Sequence, residues 1–583
     1  MKHPVSSGLF LSGNEAVALG AYEAGVEVAS SYPGTPATEI LESLAHYEGV
    51  WARWATNEKV CLEVALGASL AGARALASMK HVGLNNAADP LFASAYTGVR
   101  GGLVIAVADD PGMHSSQNEQ DSRNYALAAK LPMLEPSDPG EAREFTKLAF
   151  DLSERFDIPV LLRTTTRVSH VKGPVAKGSR KAGARRRGLR KDPEKLVLLP
   201  AYAAGRRADL GRRLKRLGSF AEGFVENAVE WKDSRVGFIT SGVSYLHVKE
   251  AFPRASVLKL GMVHPLPERL IRVFAGKVET LYVVEELDPF LETQIKALGV
   301  DCLGKELIPP QGEIDQSVLR RALSSGGEKA RRPSYRIPPR EPAMCPGCSY
   351  RGVFHALSKL DVFVAGDIGC YTLGALEPLG AIDSVLCMGA ALGMALGMEK
   401  ALGARDGQKK LVAVIGDSTF IHSGVNGLVD MVHNGGASAV VILDNGVTAM
   451  TGLQPTPASG NGTGVLDFEA LAKAVGIRHV FTVDPFDLQS TTEVIGREVL
   501  RPEPSVVVAR GPCALLPAVR ERESGAFFVE EADCDGCRKC AGLGCPAIVW
   551  KKGRGGGRAE IMKPLCTGCG LCSQVCPREA IAS

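Results

Sequence analysis

Two stretches decide the fold: Leu411-Val-Ala-Val-Ile-Gly-Asp-Ser418 and Ala439-Val-Val-Ile-Leu-Asp-Asn-Gly-Val447, whose Asp444 lies 27 residues past Asp417. Each is a short, wholly apolar run that ends in acidic or amide residues. Uninterrupted Val/Ile/Leu runs of this length are what parallel strands covered on both faces require. Ligands bind outside the carboxyl ends of such strands. Oxygen donors from Asp417, Asn445 and one backbone carbonyl, that of Val447, would suit Mg²⁺, a hard ion whose shell is completed by phosphate and water. The pattern therefore predicts a metal-held diphosphate.

Working outward, Val362–Ala365 and Ser505–Ala509 read as further strands, and Gly389–Lys400 as a long Gly/Ala/Met helix. Gly366-Asp367-Ile-Gly369-Cys370 follows the first of these strands, and Met388-Gly389-Ala-Ala-Leu-Gly393 opens the helix. A glycine-rich entry lets phosphate oxygens approach free N–H groups at the helix start. Together with Gly416, Asp417, Ser418, Asn445 and Val447, these residues form the candidate cofactor loop. The flanks resemble the thiamine diphosphate signature: glycine-aspartate-glycine, 25–30 residues, then paired asparagines. The chain departs from it at Ser418 and Asp444, neither of them a proposed metal ligand.

Residues 12 to about 170 alternate helices and apolar strands in the same manner, with Asn14–Ala24 and Glu39–Tyr47 helical and Val26–Tyr32, Leu103–Ala108 and Pro159–Arg163 extended. Thiamine chemistry needs a carboxylate bonded to the aminopyrimidine N1′. Glu58 in Trp54-Ala-Thr-Asn-Glu-Lys59, after a strand-like segment and before an apolar helix, is the candidate; burial would raise its pKa and suit it to proton exchange. A plain first-turn carboxylate serving the helix dipole is the alternative. His422, in Phe420-Ile-His-Ser-Gly424, reads as an exposed histidine near the metal site, a donor to substrate or a helix cap. His81 and Arg163 are weaker candidates at strand ends.

The C-terminus carries Cys534-x2-Cys537-x2-Cys540-x4-Cys545-Pro546 and Cys566-x2-Cys569-x2-Cys572-x3-Cys576-Pro577. Eight thiolates so spaced suit two 4Fe–4S clusters, the fourth cysteine of each run serving the other cluster. The sets are then Cys534, Cys537, Cys540 and Cys576, and Cys545, Cys566, Cys569 and Cys572. Cys345, Cys348, Cys370 and Cys513 could build a third cluster; buried thiols or a structural turn are the alternatives. Ser349-Tyr350 follows Cys348 where many relatives have proline-histidine.

A chain of 583 residues is too long for a single core and predicts three or four domains. A net charge of +3 does not argue for nucleic acid. Nine basic residues between Lys172 and Lys191 lack interleaved aromatics and read as a solvated linker. Gly326–Pro342 reads as a second linker. The grouped cysteines fit metal ligation in a reducing compartment. With no signal-peptide pattern and no apolar run of about 20 residues, the expectation is a cytoplasmic protein that neither spans nor anchors in a membrane.

These features, with Gly13-Asn-Glu-Ala16, Tyr32-Pro-Gly-Thr-Pro36, Asn57-Glu-Lys59, Lys80-His-Val-Gly-Leu-Asn85, Asp109-Asp-Pro-Gly112 and Cys345-Pro-Gly-Cys348, resemble the large subunits of the indolepyruvate:ferredoxin oxidoreductases, within the thiamine-dependent 2-oxoacid:ferredoxin oxidoreductases. The resemblance covers nearly the whole chain and includes the irregular x4 spacing before Cys545. It implies an α/β fold: a pyrimidine-binding domain (1–195, with the basic linker at 171–195), a smaller transketolase-C-terminal-like α/β domain (196–330), a diphosphate-binding domain (343–520) and a bacterial-ferredoxin-like domain (525–583). Thiamine diphosphate would sit where the two binding domains meet. Met388 would be the bulky residue under the bent cofactor, with core packing as its alternative role. The implied reaction converts an arylpyruvate, coenzyme A and oxidised ferredoxin into arylacetyl-CoA, carbon dioxide and reduced ferredoxin. The implied partner is a smaller subunit of the catalytic γ-domain type in an α2β2 heterotetramer. Rival readings are a pyruvate or branched-chain 2-oxoacid oxidoreductase, a non-oxidative decarboxylase, and a non-catalytic iron–sulfur electron-transfer subunit.

Overall fold

The computed structural model describes residues 8–181, 189, 191–323, 342–403, 410–460, 464–521, 525–552 and 557–583. The Arg185-Arg186-Arg187 run and nearly all of the 326–342 linker lie outside the described residues. The chain divides into two compact units, Met1–Ser334 and Tyr335–Ser583.

The first unit is built on a seven-stranded sheet ordered Met262–His264, Met133–Leu134, Val160–Thr165, Leu103–Asp109, Ala75–Lys80, Val28–Ser31 and Trp51–Trp54. The five strands from Val160–Thr165 to Trp51–Trp54 run parallel. Leu103–Asp109 and Ala75–Lys80 are buried along their whole length, which is why they read as continuous apolar runs. The helix Gly13–Glu23 starts with a reciprocal cap between Ser12 and Glu15 and crosses the long amphipathic helix Pro139–Phe156. Gly20 permits that close crossing, since a Cβ there would lie 2.9 Å from the Thr146 Cβ.

A second, four-stranded sheet orders Thr280–Val284, Asp233–Ser241, Ala255–Leu260 and Ala228–Glu230. It shares one hydrophobic core with the large sheet, and the strand Met262–His264 leaves it to pair antiparallel with Met133–Leu134. A buried ion cluster reinforces this join. Arg123, 1% exposed, donates through Nη1 to Glu285 at 2.6 Å and through Nε to Asp121 at 2.9 Å.

Within the described residues, the start of the basic stretch packs on the first unit while its lysines stay exposed. Lys172–Val175 is a strand antiparallel to Leu9–Ser12. Arg180 stacks on the Tyr22 ring and donates to the carbonyls of Val26, Glu48 and Gly49. Its charges serve local carbonyl acceptors and an aromatic face, a use that composition alone does not show. The helix Pro200–Ala221 that follows has no counterpart in the sequence reading.

The second unit centres on an all-parallel five-stranded sheet ordered Val362–Ala365, Lys410–Gly416, Ala439–Asp444, Ser505–Arg510 and His479–Val483. The central strand is flanked on its two faces by separate cores, one with the helix Tyr350–Leu357 and one with the helix Ala390–Leu402. Beyond residue 525 lie two short antiparallel pairs, Phe528–Val529 with Ile581–Ala582 and Ile548–Lys551 with Arg558–Ile561. Gln574 ties this cysteine-rich segment to the sheet domain, accepting from the Leu488 N–H at 3.0 Å and donating to the Phe486 carbonyl at 2.8 Å.

The Arg123 cluster yields a test. Arg123→Met leaves Asp121 and Glu285 buried without their cation, and breaking such a pair costs about 3–5 kcal/mol. Urea unfolding of the first unit's transition should show this loss; an unchanged midpoint would mean the cluster does not hold the two sheets together.

Candidate functional site

The carboxyl ends of three adjacent parallel strands bring Asp367, Asp417 and Asn445 to one edge of the second unit's sheet. Asp417 follows Lys410–Gly416 and is 2% exposed. Its Oδ1 accepts the Ser418 N–H at 2.6 Å and the Ser418 hydroxyl at 3.3 Å; its Oδ2 accepts the N–H groups of Asn445 at 3.2 Å and Gly446 at 2.9 Å. Burial pushes this carboxyl up to about 7, with Asp444 adding to the rise and the three backbone N–H groups opposing it. An oxygen donor so placed, with no cation partner in its hydrogen-bond set, is poised to take a metal.

Asn445 is buried too. Its amide donates to the Tyr350 hydroxyl and its Oδ1 accepts the Val447 N–H at 2.9 Å. One lone pair of Oδ1 remains for a ligand. Tyr350 was not legible as a site residue, although Ser349-Tyr350 stood out as a departure from related sequences. Ser418 also meets Thr448, the hydroxyl oxygens 3.0 Å apart.

Asp367 changes the expected role of the helix start. It is fully buried and its Oδ1 accepts from Ile368 at 2.8 Å and Gly389 at 2.9 Å, while Oδ2 accepts from Ala391 at 3.0 Å. Two of the N–H groups expected to be free for phosphate are thus taken by the chain's own carboxylate. Burial raises Asp367 to about 6, opposed by those N–H groups and by the nearby His422. Gly389 must be glycine, at φ 84° with a Cβ position 2.5 Å from the Ser423 Cβ. Gly366 packs on Ile382, and Gly369 and Gly416 on the edge of Tyr371, leaving no room for side chains. Met388 is half-buried in the turn before the helix and lies outside the two cores.

His422 departs from the reading as an exposed group. It sits in a single π-helical turn, Phe420–Gly424, and is 7% exposed, with Nδ1 bonded to the Ser423 hydroxyl. The wide turn carries the ring inward, which a linear sequence does not reveal; such turns recur at functional sites.

In the first unit Glu58 opens the helix Glu58–Leu70, capped by Asn57, and is 5% exposed. Asn86 donates to its Oε2 at 3.2 Å. A Cβ on Gly83 would lie 2.6 Å from the Glu58 Cγ, so the glycine of Lys80-His-Val-Gly83 exists to admit this carboxylate. His81 is buried beside Asp109, and burial lowers its pKa. Arg163 is a structural cation, bonded to Asp109 at 2.7 Å and paired with Glu135.

The cysteines form three groups. One cavity is lined by Cys545, Cys566, Cys569 and Cys572, and another by Cys534, Cys537, Cys540 and Cys576. The fourth cysteine of each run faces the other run's cavity. Among the described residues no three His, Cys, Asp or Glu side chains converge on a single metal-ion position; cavities ringed by separated thiols instead suit a multi-iron core, in which each sulfur meets its own iron. Burial raises Cys572 to about 12 and raises Cys540 and Cys569. In the third group, Cys370 lies close enough to Cys345 and Cys513, and Cys348 to Cys345 and Cys370, for each to act on the other's charge. Burial lifts Cys348 to about 12 and Cys370 to about 11. None of the fifteen cysteines forms a disulfide.

A parallel sheet with oxygen donors at its strand ends, joined to a domain with paired four-cysteine cavities, defines a thiamine diphosphate-binding, iron–sulfur class of protein. Residues 19–198 match the family described as pyruvate flavodoxin/ferredoxin oxidoreductase, thiamine diphosphate-binding. Residues 367–509 match the thiamine pyrophosphate enzyme C-terminal binding domain, and residues 559–582 the 4Fe–4S binding domain. The chain is 40% identical to the indolepyruvate oxidoreductase subunit IorA of Archaeoglobus fulgidus, over 98% of this chain and 97% of that one. It is 41% identical to that of Methanothermobacter marburgensis, again over 98% and 97%. The 2-oxoglutarate synthase subunit KorA of Methanothermobacter thermautotrophicus is 28% identical over 34% of this chain and 54% of its own. The chain belongs to the IorA family of indolepyruvate oxidoreductase subunits. Among the described residues no helix is long and apolar enough to cross a membrane.

The Asp417 environment predicts a signature in cation-depleted protein. A carboxyl whose folded pKa of about 7 exceeds its unfolded value binds its proton more tightly when folded, so stability falls as pH rises from about 4 toward 7. Asp417→Asn should flatten that slope and raise the melting midpoint above pH 7. Thermal melts across this window check it, and parallel curves for the two proteins would refute it.

Proposed function

We propose that this chain is the large subunit of an indolepyruvate:ferredoxin oxidoreductase acting on indole-3-pyruvate and related arylpyruvates. One 2-oxoacid and one coenzyme A give arylacetyl-CoA and carbon dioxide, and the two electrons released reduce two ferredoxins. The observation that carries this reading is the pairing, on one chain, of a buried strand-end carboxylate with paired four-cysteine cavities, in a sequence similar to IorA subunits from end to end.

Thiamine diphosphate, when bound, supplies the carbon nucleophile and the electron sink on which the carboxylate is lost. The chain's residues hold and tune it. Asp417, Asn445 and the Val447 carbonyl are assigned to Mg²⁺, an all-oxygen set that would suit a hard ion; the Ser418 hydroxyl is held by Thr448 beside them. Gly416, Ser418, Gly366 and Gly369 line the diphosphate loop. Asp367 caps the helix behind it and His422 braces Asp367 and Ser423. Met388 supports the cofactor from the turn above that helix. Glu58 is the carboxylate for the aminopyrimidine N1′, its burial and its Asn86 contact fixing its orientation.

Cys534, Cys537, Cys540 and Cys576 are assigned to one 4Fe–4S cluster, and Cys545, Cys566, Cys569 and Cys572 to a second. Cys345, Cys348, Cys370 and Cys513 are assigned to a third; the charge interaction of Cys513 with Asp417 supports a position for this set near the assigned metal site. The relatives' designation as subunits supports a multi-subunit enzyme, for which the proposed partner is a smaller catalytic γ-domain-type subunit in an α2β2 complex. Fifteen cysteines without a disulfide support the reducing cytoplasm.

Anaerobically purified complex should turn over indolepyruvate and phenylpyruvate well ahead of pyruvate or branched-chain acids. Preference for pyruvate would reassign the substrate. Iron and sulfide should approach about twelve of each per chain for three clusters, against about eight for two. Glu58→Gln should lower coenzyme A-dependent ferredoxin reduction by about 10²–10⁴-fold with cluster absorbance retained; undiminished turnover removes Glu58 from the chemistry.

A further inference from the structure

Arg351 lies in the first turn of the helix Tyr350–Leu357 and is 2% exposed. Among the described residues it is the only buried lysine or arginine of the second unit. Its hydrogen-bond acceptors are all neutral carbonyls. Nη1 donates to Leu543 at 2.8 Å, Nε and Nη2 to Cys345 at 3.4 and 3.3 Å, and Nη2 also to Met344. Among the buried arginines of the first unit, Arg74, Arg123, Arg143 and Arg163 each meet a carboxylate, while Arg213 donates to the carbonyls of Tyr96 and Asp157.

A permanent cation cannot be buried cheaply without negative charge nearby. The groups that Arg351 faces are cysteine sulfurs, which carry negative charge as thiolates once they ligate iron. The guanidinium lines the cavity of Cys545, Cys566, Cys569 and Cys572. It acts on Cys569 on one side and Cys348 on the other. Arg351 therefore bridges the Cys345-Pro-Gly-Cys348 turn and the turn that delivers Cys545, two segments 192 residues apart at the Leu543 contact. The other cavity has no such charge. Its Arg538 is exposed, and Arg578, 63% exposed, is paired with Asp535 at 3.1 Å, so water screens both.

We propose that Arg351 is a positioning residue whose fixed positive charge sets the reduction potential of the iron cluster held by Cys545, Cys566, Cys569 and Cys572. Reduction adds one negative charge to a cluster, and a buried cation beside it favours the reduced form more than the oxidised one. This rests on the assignment of these cysteines as cluster ligands.

The test is an EPR-monitored redox titration of the anaerobic holo-complex, wild type against Arg351→Gln and Arg351→Lys, with iron counted for each. In Arg351→Gln the Cys545-set cluster should be about tenfold less reduced at a given poise, a shift of about 59 mV to lower potential for a one-electron couple. The Cys534-set cluster should move much less. Arg351→Lys should stay near wild type. A fully loaded Gln variant with an unmoved potential overturns the proposal. Should the Gln variant lose iron from the Cys545 set, a Lys variant that keeps it supports a requirement for charge, whereas loss from both assigns Arg351 to hydrogen bonding alone and overturns it. Wild-type complex without iron on these cysteines would instead overturn the ligand assignment.

Discussion

The second unit is organised around buried negative charge that the protein itself does not neutralise. Asp367 and Asp417 stand at the ends of adjacent strands, 0% and 2% exposed, satisfied by backbone N–H groups and raised by burial to about 6 and about 7. Hydrogen bonds spread a carboxylate's charge without cancelling it. The first unit solves the same problem with arginines, as Arg123 does for Asp121 and Glu285. Among the described residues no arginine is bonded to Asp417, whose partners are backbone N–H groups and the Ser418 hydroxyl.

Strand direction explains why these groups meet. Parallel pairing of Val362–Ala365, Lys410–Gly416 and Ala439–Asp444 sends all three carboxyl ends to one edge. Asp367, Asp417 and Asn445 each follow a strand by one or two residues. The glycines complete the arrangement by closeness: Tyr371 presses on Gly369 and Gly416, and Ser423 on Gly389. Each is a place where a methyl group would displace a wall of the loop.

Much of this was legible because the strands are fully buried and therefore uniformly apolar; Val362–Ala365 and the Ala439 strand stand where their composition puts them. The edge strand His479–Val483 was not, since it is only partly buried and carries His479 and Thr482 among its apolar residues. The helix Pro200–Ala221 escaped notice because its many arginines mask a narrow buried face of Leu210, Arg213 and Leu217. The inward turn of His422 depends on one extra residue per helical turn, which carries no compositional mark. The crossed cysteine sets were legible from spacing, because covalent ligation constrains sequence distance. Arg351 was not, because its acceptors are backbone carbonyls, which every residue has.

The two cavities are not equivalent, and their difference lies in what walls them. The Cys534-set cavity is lined only by residues from Val529 to Ile581. The Cys545-set cavity is also walled by Pro346, Gly347 and Arg351 of the sheet domain, and the Gly347 position has room for no side chain against Thr567. One site thus abuts the third cysteine group through a single tight turn, while the other lies within the small domain and away from that turn. Each run sends its fourth cysteine to the other run's cavity, which ties the two cavities into one folding unit, and the Cys345–Cys348 turn, Gly347 and the buried Arg351 set the inner cavity against the sheet domain.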